Sequence, residues 1–264
     1  MRNQIQRLQI QGSIRIVGLG LLAMVFAMLA VVNAGAARQG QETKDQQSLA
    51  IKKSPKPARP LSGSEISESR ELLDQLGYWV ESDAKGKNPS LNHALIAFQK
   101  IEGRKRTGRL TIEELEALRD AQKPRPFETG YPHIEVDLHR QVLFIVDVDG
   151  VDLRILPISS ASGEFFTEGG ETRQAITPTG RFKVYRKIYG WRKSTLGSLY
   201  YPNYISYGIA IHGAPSVPPS PASHGCIRIP MFAAREFSAI ASVGMVVIVY
   251  DTDPLAEAGA AQPE

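Results

Sequence analysis

Five residues within one short stretch carry side chains or backbone suited to covalent chemistry: His212, His224, Gly225, Cys226 and Arg228. Cys226 is the only cysteine of the chain. A thiol is mostly protonated at its ordinary pKa of about 8.5, so a nucleophilic cysteine needs an imidazole or a cation beside it. Either histidine fits that role by type. Gly225 lets the backbone approach a substrate, and the amides of Gly225 and Cys226 are suited to hold the oxyanion of an acyl-transfer intermediate. Arg228 alternates with Cys226 along an extended segment, which turns both to one side and offers a fork to a substrate carboxylate. His212, His224 and Cys226 are also three legitimate zinc ligands, but no fourth ligand or catalytic carboxylate is signalled near them.

The elements that must position these residues read as a mostly β domain. The apolar run Ile209-Ala210-Ile211 is a strand that delivers His212 at its end. A loop stiffened by Pro215, Pro218, Pro219 and Pro221 leads on to Ser223, and strand ends beside loops are where a rigid scaffold presents reactive groups. Upstream, Ile134, Val136 and Leu138 alternate with Glu135, Asp137 and His139, the period of a strand. Val142–Val146 is a continuous apolar run, the pattern of a buried strand, and Asp149-Gly150 is a hairpin turn into a strand over residues 151–158. Thr177-Pro178-Thr179-Gly180 turns the chain into a strand over 181–188; residues 208–211 and 243–250 supply further strands and 231–242 a helix. The order His212 before Cys226 is the reverse of that in papain-like enzymes.

Ahead of this lies a segment of helical period. Ile66, Leu73 and Leu76 form one stripe ended by Gly77. Ser90 is the expected cap of a second helix carrying Leu91, Ala94, Leu95 and Phe98, and Thr111 with Glu114 reads as a capping box before a third. Residues 38–62 have linker composition, Gln-rich and then Lys- and Pro-rich. Residues 1–37 carry Arg2, Arg7 and Arg15 before 22 uncharged residues from Ile16 on, long enough as a helix to cross a hydrocarbon core of about 30 Å. This is a cleavable secretory signal or an anchor, and both place the remainder outside the cytoplasm. Outside the cytosol a lone cysteine has no internal bridge to make, which leaves its thiol in need of another reason. The net charge of +4 is +3 over residues 1–37 and +4 over 38–60, which leaves −3 for the rest and no nucleic-acid footprint in the folded part.

On these residues the pattern from His212-Gly213 to Ser223-His224-Gly225-Cys226-x-Arg228 resembles the L,D-transpeptidase catalytic domain, and VDLHRQVLFIV and TPTGRFKV resemble that family's opening hairpin and turn-strand segments. The strings LGYW, ALIAFQKIEG and TGRLTIEELEAL resemble the peptidoglycan-binding-like three-helix module. The resemblance implies a β-sandwich catalytic domain over residues 131–251, a helical domain over 63–122 and a terminal tail over 252–264. It implies Cys226 as nucleophile, His212 as base, Ser223, His224 and Gly225 around the oxyanion and pocket, and Gly213 and Arg228 at the substrate, with no cofactor and no metal. The implied partners are peptidoglycan stem peptides as donor and acceptor, or a lysine of an envelope protein as acceptor, in the periplasm or cell envelope. Two other readings fit the same residues: water as acceptor, giving an L,D-carboxypeptidase or hydrolase, and an inert wall-binding protein.

Overall fold

The computed structural model describes residues 59–81, 89–151 and 153–252. The signal or anchor expected over 1–37, most of the linker and the tail from residue 253 on lie outside the described residues. No described helix is long and apolar enough to cross a membrane.

Three helices come first. Helix α1 (Gly63–Gln75) starts with a full capping box between Ser62 and Glu65 and ends at Gly77, where φ of +90° lets the Gly77 and Tyr78 amides return to Asp74 and Leu73 carbonyls. Helix α2 (Pro89–Ile101) begins with proline in its first turn. Ser90, expected as its cap, instead lies inside the helix, where its hydroxyl accepts from the Glu81 amide at 3.0 Å. Helix α3 (Ile112–Asp120) is capped by Thr111 as expected, but only half of the box forms: the Glu114 carboxylate pairs with Arg104 at 3.0 Å.

The strands among the described residues are β1 (His133–Asp137), β2 (Val142–Val146), β3 (Leu153–Pro157), β4 (Phe165–Glu168), β5 (Glu171–Gln174), β6 (Gly180–Lys183), β7 (Arg186–Lys187), β8 (Trp191–Ser194), β9 (Gly197–Ser206), β10 (Ile209–Ala214), β11 (Ile227–Pro230) and, after helix α4 (Met231–Ile240), β12 (Val246–Tyr250). One sheet runs β3-β2-β1-β12-β6, with β1 and β12 parallel. The second runs β11-β10-β9-β7 with β8 also on β9, and its β10 and β11 are parallel. Strands β4 and β5 form a separate hairpin. Reciprocal backbone hydrogen bonds between Ser159 and Arg228 stitch the end of β3 to β11, joining the two sheets.

Every residue of β2 is buried, because both of its faces are covered. Leu143 and Ile145 face one core with Ile134, Val136, Val247, Val249, the second sheet's Ile211 and Ile227, and Phe237 of α4. Val142, Phe144 and Val146 face a second core with Leu73, Leu95 and Phe98 of the helices. Tyr78 also bridges to Ile155, so the chain after α1 extends the sheet beyond β3. The helices read from sequence as a module of their own therefore share a core with the sheet, and the described residues belong to one compact unit.

The alternating polar residues of β1 depart from a solvent-facing pattern. His133, Glu135 and Asp137 are all buried. Glu135 accepts from the Phe127 and Glu128 amides at 2.8 Å and contacts His133 Nε2 at 2.9 Å; Asp137 accepts from Arg140. Buried charge is tolerated here because every carboxylate has local donors.

Candidate active site

The register of β10 and β11 sets the geometry. In their parallel ladder His212 pairs with Arg228, and Ile211 with Ile227. Paired residues of parallel strands face the same way, so His212 and Arg228 share one face, while Ile211, Ile227 and Ile229 face the core. Cys226 immediately precedes β11, and its thiol reaches the Gly208 carbonyl, just ahead of β10, at 3.6 Å. His212, Cys226 and Arg228 line one cavity of about 710 Å³.

His212 is held from below. Its Nδ1 lies 2.9 Å from the Gly213 carbonyl, an acceptor only, so Nδ1 carries the proton and Nε2 keeps its lone pair. Opposite it, β9 carries one residue more than β10 between the pairs Ile211 with Asn203 and Gly213 with Tyr200, a bulge with Tyr201 at φ +48°. Asn203, fully buried, secures this bulge: its amide donates to the carbonyls of Tyr201 and Ile211 and accepts from Ser238 of α4. Asn203 was not singled out from sequence, and β9 with it, because Pro202 interrupts an otherwise strand-like run.

The loop before Cys226 is knitted by Ser223. Its hydroxyl donates to the Cys226 carbonyl at 2.5 Å and accepts from the Gly225 amide at 3.1 Å. The expectation of a Gly225 amide aimed at an oxyanion is therefore corrected: that donor is committed to Ser223. Gly225 has φ of +147°, and a Cβ there would lie 2.6 Å from Ile209 Cδ1. Its carbonyl accepts from Thr177 Oγ1 at 2.7 Å, which ties the TPTG turn to the cysteine loop. Gly213, expected at the substrate, faces the other way: a Cβ on it would meet Ala234 Cβ of α4 at 2.5 Å. Its contribution to the site is the carbonyl that orients His212.

His224 is exposed and rests on Phe166 of the β4–β5 hairpin, with ring centroids 4.7 Å apart. Among the described residues no three His, Cys, Asp or Glu side chains converge, so His212, His224 and Cys226 do not form a ligand set. The β4–β5 hairpin reaches across the cavity to the β8–β9 hairpin, where Thr195 donates to Glu168. Little in the residue pattern points to this roof, since its strands are short and mostly exposed. Arg228 lines the cavity floor and pairs with no carboxylate among the described residues.

Burial dominates the electrostatics. It pushes the His212 imidazole down to about 4, with the nearby Arg228 cation acting in the same direction. Burial also raises the Cys226 thiol, opposed by a hydrogen bond from the Ala210 amide and by Arg228. The thiol donates to the Gly208 carbonyl at 3.6 Å. The arrangement thus holds a neutral thiol and a neutral imidazole on one wall, with a cation two positions from the sulfur.

Residues 131–249 match the family model for the L,D-transpeptidase catalytic domain, YkuD. Among solved structures the chain is similar to an L,D-transpeptidase from Xylanimonas cellulosilytica DSM 15894, at 32% identity over 74% of this chain and 99% of that one, with a TM-score of 0.67. It is also similar to the catalytic domain of the E. faecium L,D-transpeptidase, at 26% identity over 47% of this chain and 99% of that one (TM-score 0.36), and to an L,D-transpeptidase from Stackebrandtia nassauensis, at 18% identity over 75% and 98% (TM-score 0.44). No curated protein matches. The Xylanimonas match spans far more of the chain than the catalytic β-structure alone, and on that agreement of sequence and fold the chain belongs to the L,D-transpeptidase family.

Proposed function

We propose that the protein is a cysteine L,D-transpeptidase of the cell envelope, exported by residues 1–37 and acting on peptidoglycan stem peptides. One observation carries the reading: Cys226 and His212 share a cavity wall, and the Nδ1 contact to Gly213 leaves His212 Nε2 as a base. Nε2 takes the thiol proton as sulfur attacks the carbonyl of the residue before the terminal D-Ala. A C–S bond forms and the carbonyl becomes an oxyanion, which the Cys226 amide receives in place of the committed Gly225 donor. Collapse breaks the C–N bond, and the imidazolium gives its proton to the departing D-Ala amine. An acceptor amine then attacks the thioester, losing its proton to His212 and restoring the thiol. The acceptor is a second diaminopimelate, giving a 3-3 cross-link, or a lysine of an envelope protein. Arg228 supplies the cation for a substrate carboxylate.

The test is incubation of the protein with disaccharide-tetrapeptides and separation of the products. Stoichiometric D-Ala together with a cross-linked dimer supports the reading. D-Ala with only tripeptide monomer would make the enzyme a carboxypeptidase, and unchanged substrate would refute the activity.

A further inference from the structure

Lys100 closes the last turns of α2, yet it is buried, and its ammonium donates to the carbonyls of Gln141 and Ile158 at 2.9 and 2.7 Å. Gln141 sits in the turn between β1 and β2 at φ +62° and is itself buried. Its side-chain amide grips Ser160 twice, donating to the hydroxyl at 2.7 Å and accepting from the backbone amide at 3.0 Å. The Ser160 carbonyl accepts from the amides of Ala222 and Ser223, both at 2.9 Å. Ser223 in turn holds the Cys226 carbonyl. A continuous chain of buried hydrogen bonds therefore runs from the helices to the residue that bears the thiol.

A second line runs from the same helices to the middle of that loop. Arg106, between α2 and α3, donates to the Pro219 carbonyl at 3.1 Å. Its own segment is fixed: Gln99 accepts from the Gly108 amide at 2.8 Å, and Asn92 donates to the Gly108 carbonyl at 2.7 Å. Ser159 adds a hydroxyl to the Ser220 carbonyl at 2.8 Å. The loop from Pro215 to Gly225 spans the two reacting residues, and its middle and end are tied to groups that the helical layer holds.

We infer that the helical layer positions the nucleophile: Lys100, through Gln141 and Ser160, and Arg106, through Pro219, fix the loop that sets Cys226 against His212. The inference rests on Cys226 being the nucleophile of the proposed reaction. A layer that only covered apolar surface would need neither a buried ammonium nor an arginine reaching the loop carbonyl. A hydrogen-bonded chain of this kind transmits position, and a shift of about 1 Å at a reacting atom can cost about a hundredfold in rate.

Two variants of the full chain separate positioning from folding. Gln141→Asn tolerates the positive φ but is one methylene short of Ser160. Arg106→Ala removes an exposed side chain and leaves the core intact, and Arg106→Lys keeps a donor for Pro219. Arg119→Ala, which breaks the exposed pair with Glu68, is the control. The readouts are the acylation rate with a tetrapeptide donor, the rate of Cys226 alkylation by iodoacetamide across pH, and the thermal midpoint. Gln141→Asn and Arg106→Ala should lower kcat for acylation by about ten- to a hundredfold with smaller changes in KM, and should slow alkylation, while Arg106→Lys restores most of the rate and Arg119→Ala keeps it. Acylation and alkylation within twofold of the parent in both folded variants, or losses that only follow the unfolded fraction, would overturn the inference. Alkylation needs no donor, so it decides the point even if the parent proves unreactive toward muropeptides.

Discussion

An imidazole held at about 4 stays available as a base in acid where an ordinary histidine does not. The depression from 6.5 corresponds to about 3 kcal/mol of preference for the neutral ring, set by burial, opposed by the hydrogen bond to the Gly213 carbonyl and aided to a smaller extent by Arg228. At pH 5.5 an unperturbed histidine is about nine-tenths protonated, whereas His212 remains more than about nine-tenths neutral. The acid limb of kcat/KM for acylation should therefore fall near pH 4, and Arg228→Met should move it upward. The same shift acts on stability. Between 4 and 6.5 the unfolded chain binds the proton that the folded chain refuses, so stability rises with pH across that window. Acidification from pH 7 to below 4 should remove about 3 kcal/mol through this residue, and His212→Gln should abolish that part of the slope. Rapid-mixing acylation from pH 4 to 8, with urea unfolding at pH 4 and 7, measures both. An acid limb near 6.5, or an unfolding slope identical in His212→Gln, would refute the reasoning.

Gly225→Ala should lower stability by about 1–3 kcal/mol and slow acylation more than tenfold, because φ of +147° and the Ile209 contact exclude a Cβ; thermal melts and acylation rates check it. His212→Ala should cost a general-base factor of about a hundred to ten thousand in acylation, and His224→Ala less, since His224 is exposed and packs at a tilt against Phe166; a larger loss at His224 would reverse their roles. Deleting residues 59–122 should leave no folded enzyme: it bares Val142, Phe144, Val146, Leu153 and Ile155, each worth about 1.5–3 kcal/mol, against a total stability of about 5–15 kcal/mol. Circular dichroism and turnover of the fragment test this, and a folded, active fragment would contradict the shared core.

The reacting residues were legible because the chain places them in one contiguous segment, with the strand before His212 and the alternation from Cys226 to Arg228 both visible as pattern. Val142–Val146 was equally legible as buried. What covers its second face was not, since periodicity reports that a face is buried and not against what, and the cover comes from three separate helices upstream, through residues such as Leu73, Leu95, Phe98 and Leu118. Lys100 reads as an ordinary cation in a last helical turn, although its partners lie in the β1–β2 turn and beyond β3. Glu135 and Asp137 alternate with apolar residues, yet both are buried: their donors are the Phe127 and Glu128 amides and Arg140, local groups without a pattern of their own. Neither glycine takes the role its position suggested: Gly213 packs on α4 and orients His212 through its carbonyl, and Gly225 gives its amide to Ser223.

The central claim is that the Cys226 sulfur carries the acyl group. Intact-mass measurement of the protein after brief exposure to a disaccharide-tetrapeptide tests it most directly. The account expects an adduct equal to the donor less D-Ala, lost on addition of an acceptor amine and absent from folded Cys226→Ser. An adduct of the same mass on Cys226→Ser, or turnover of donor by that variant at the parent rate, would contradict it.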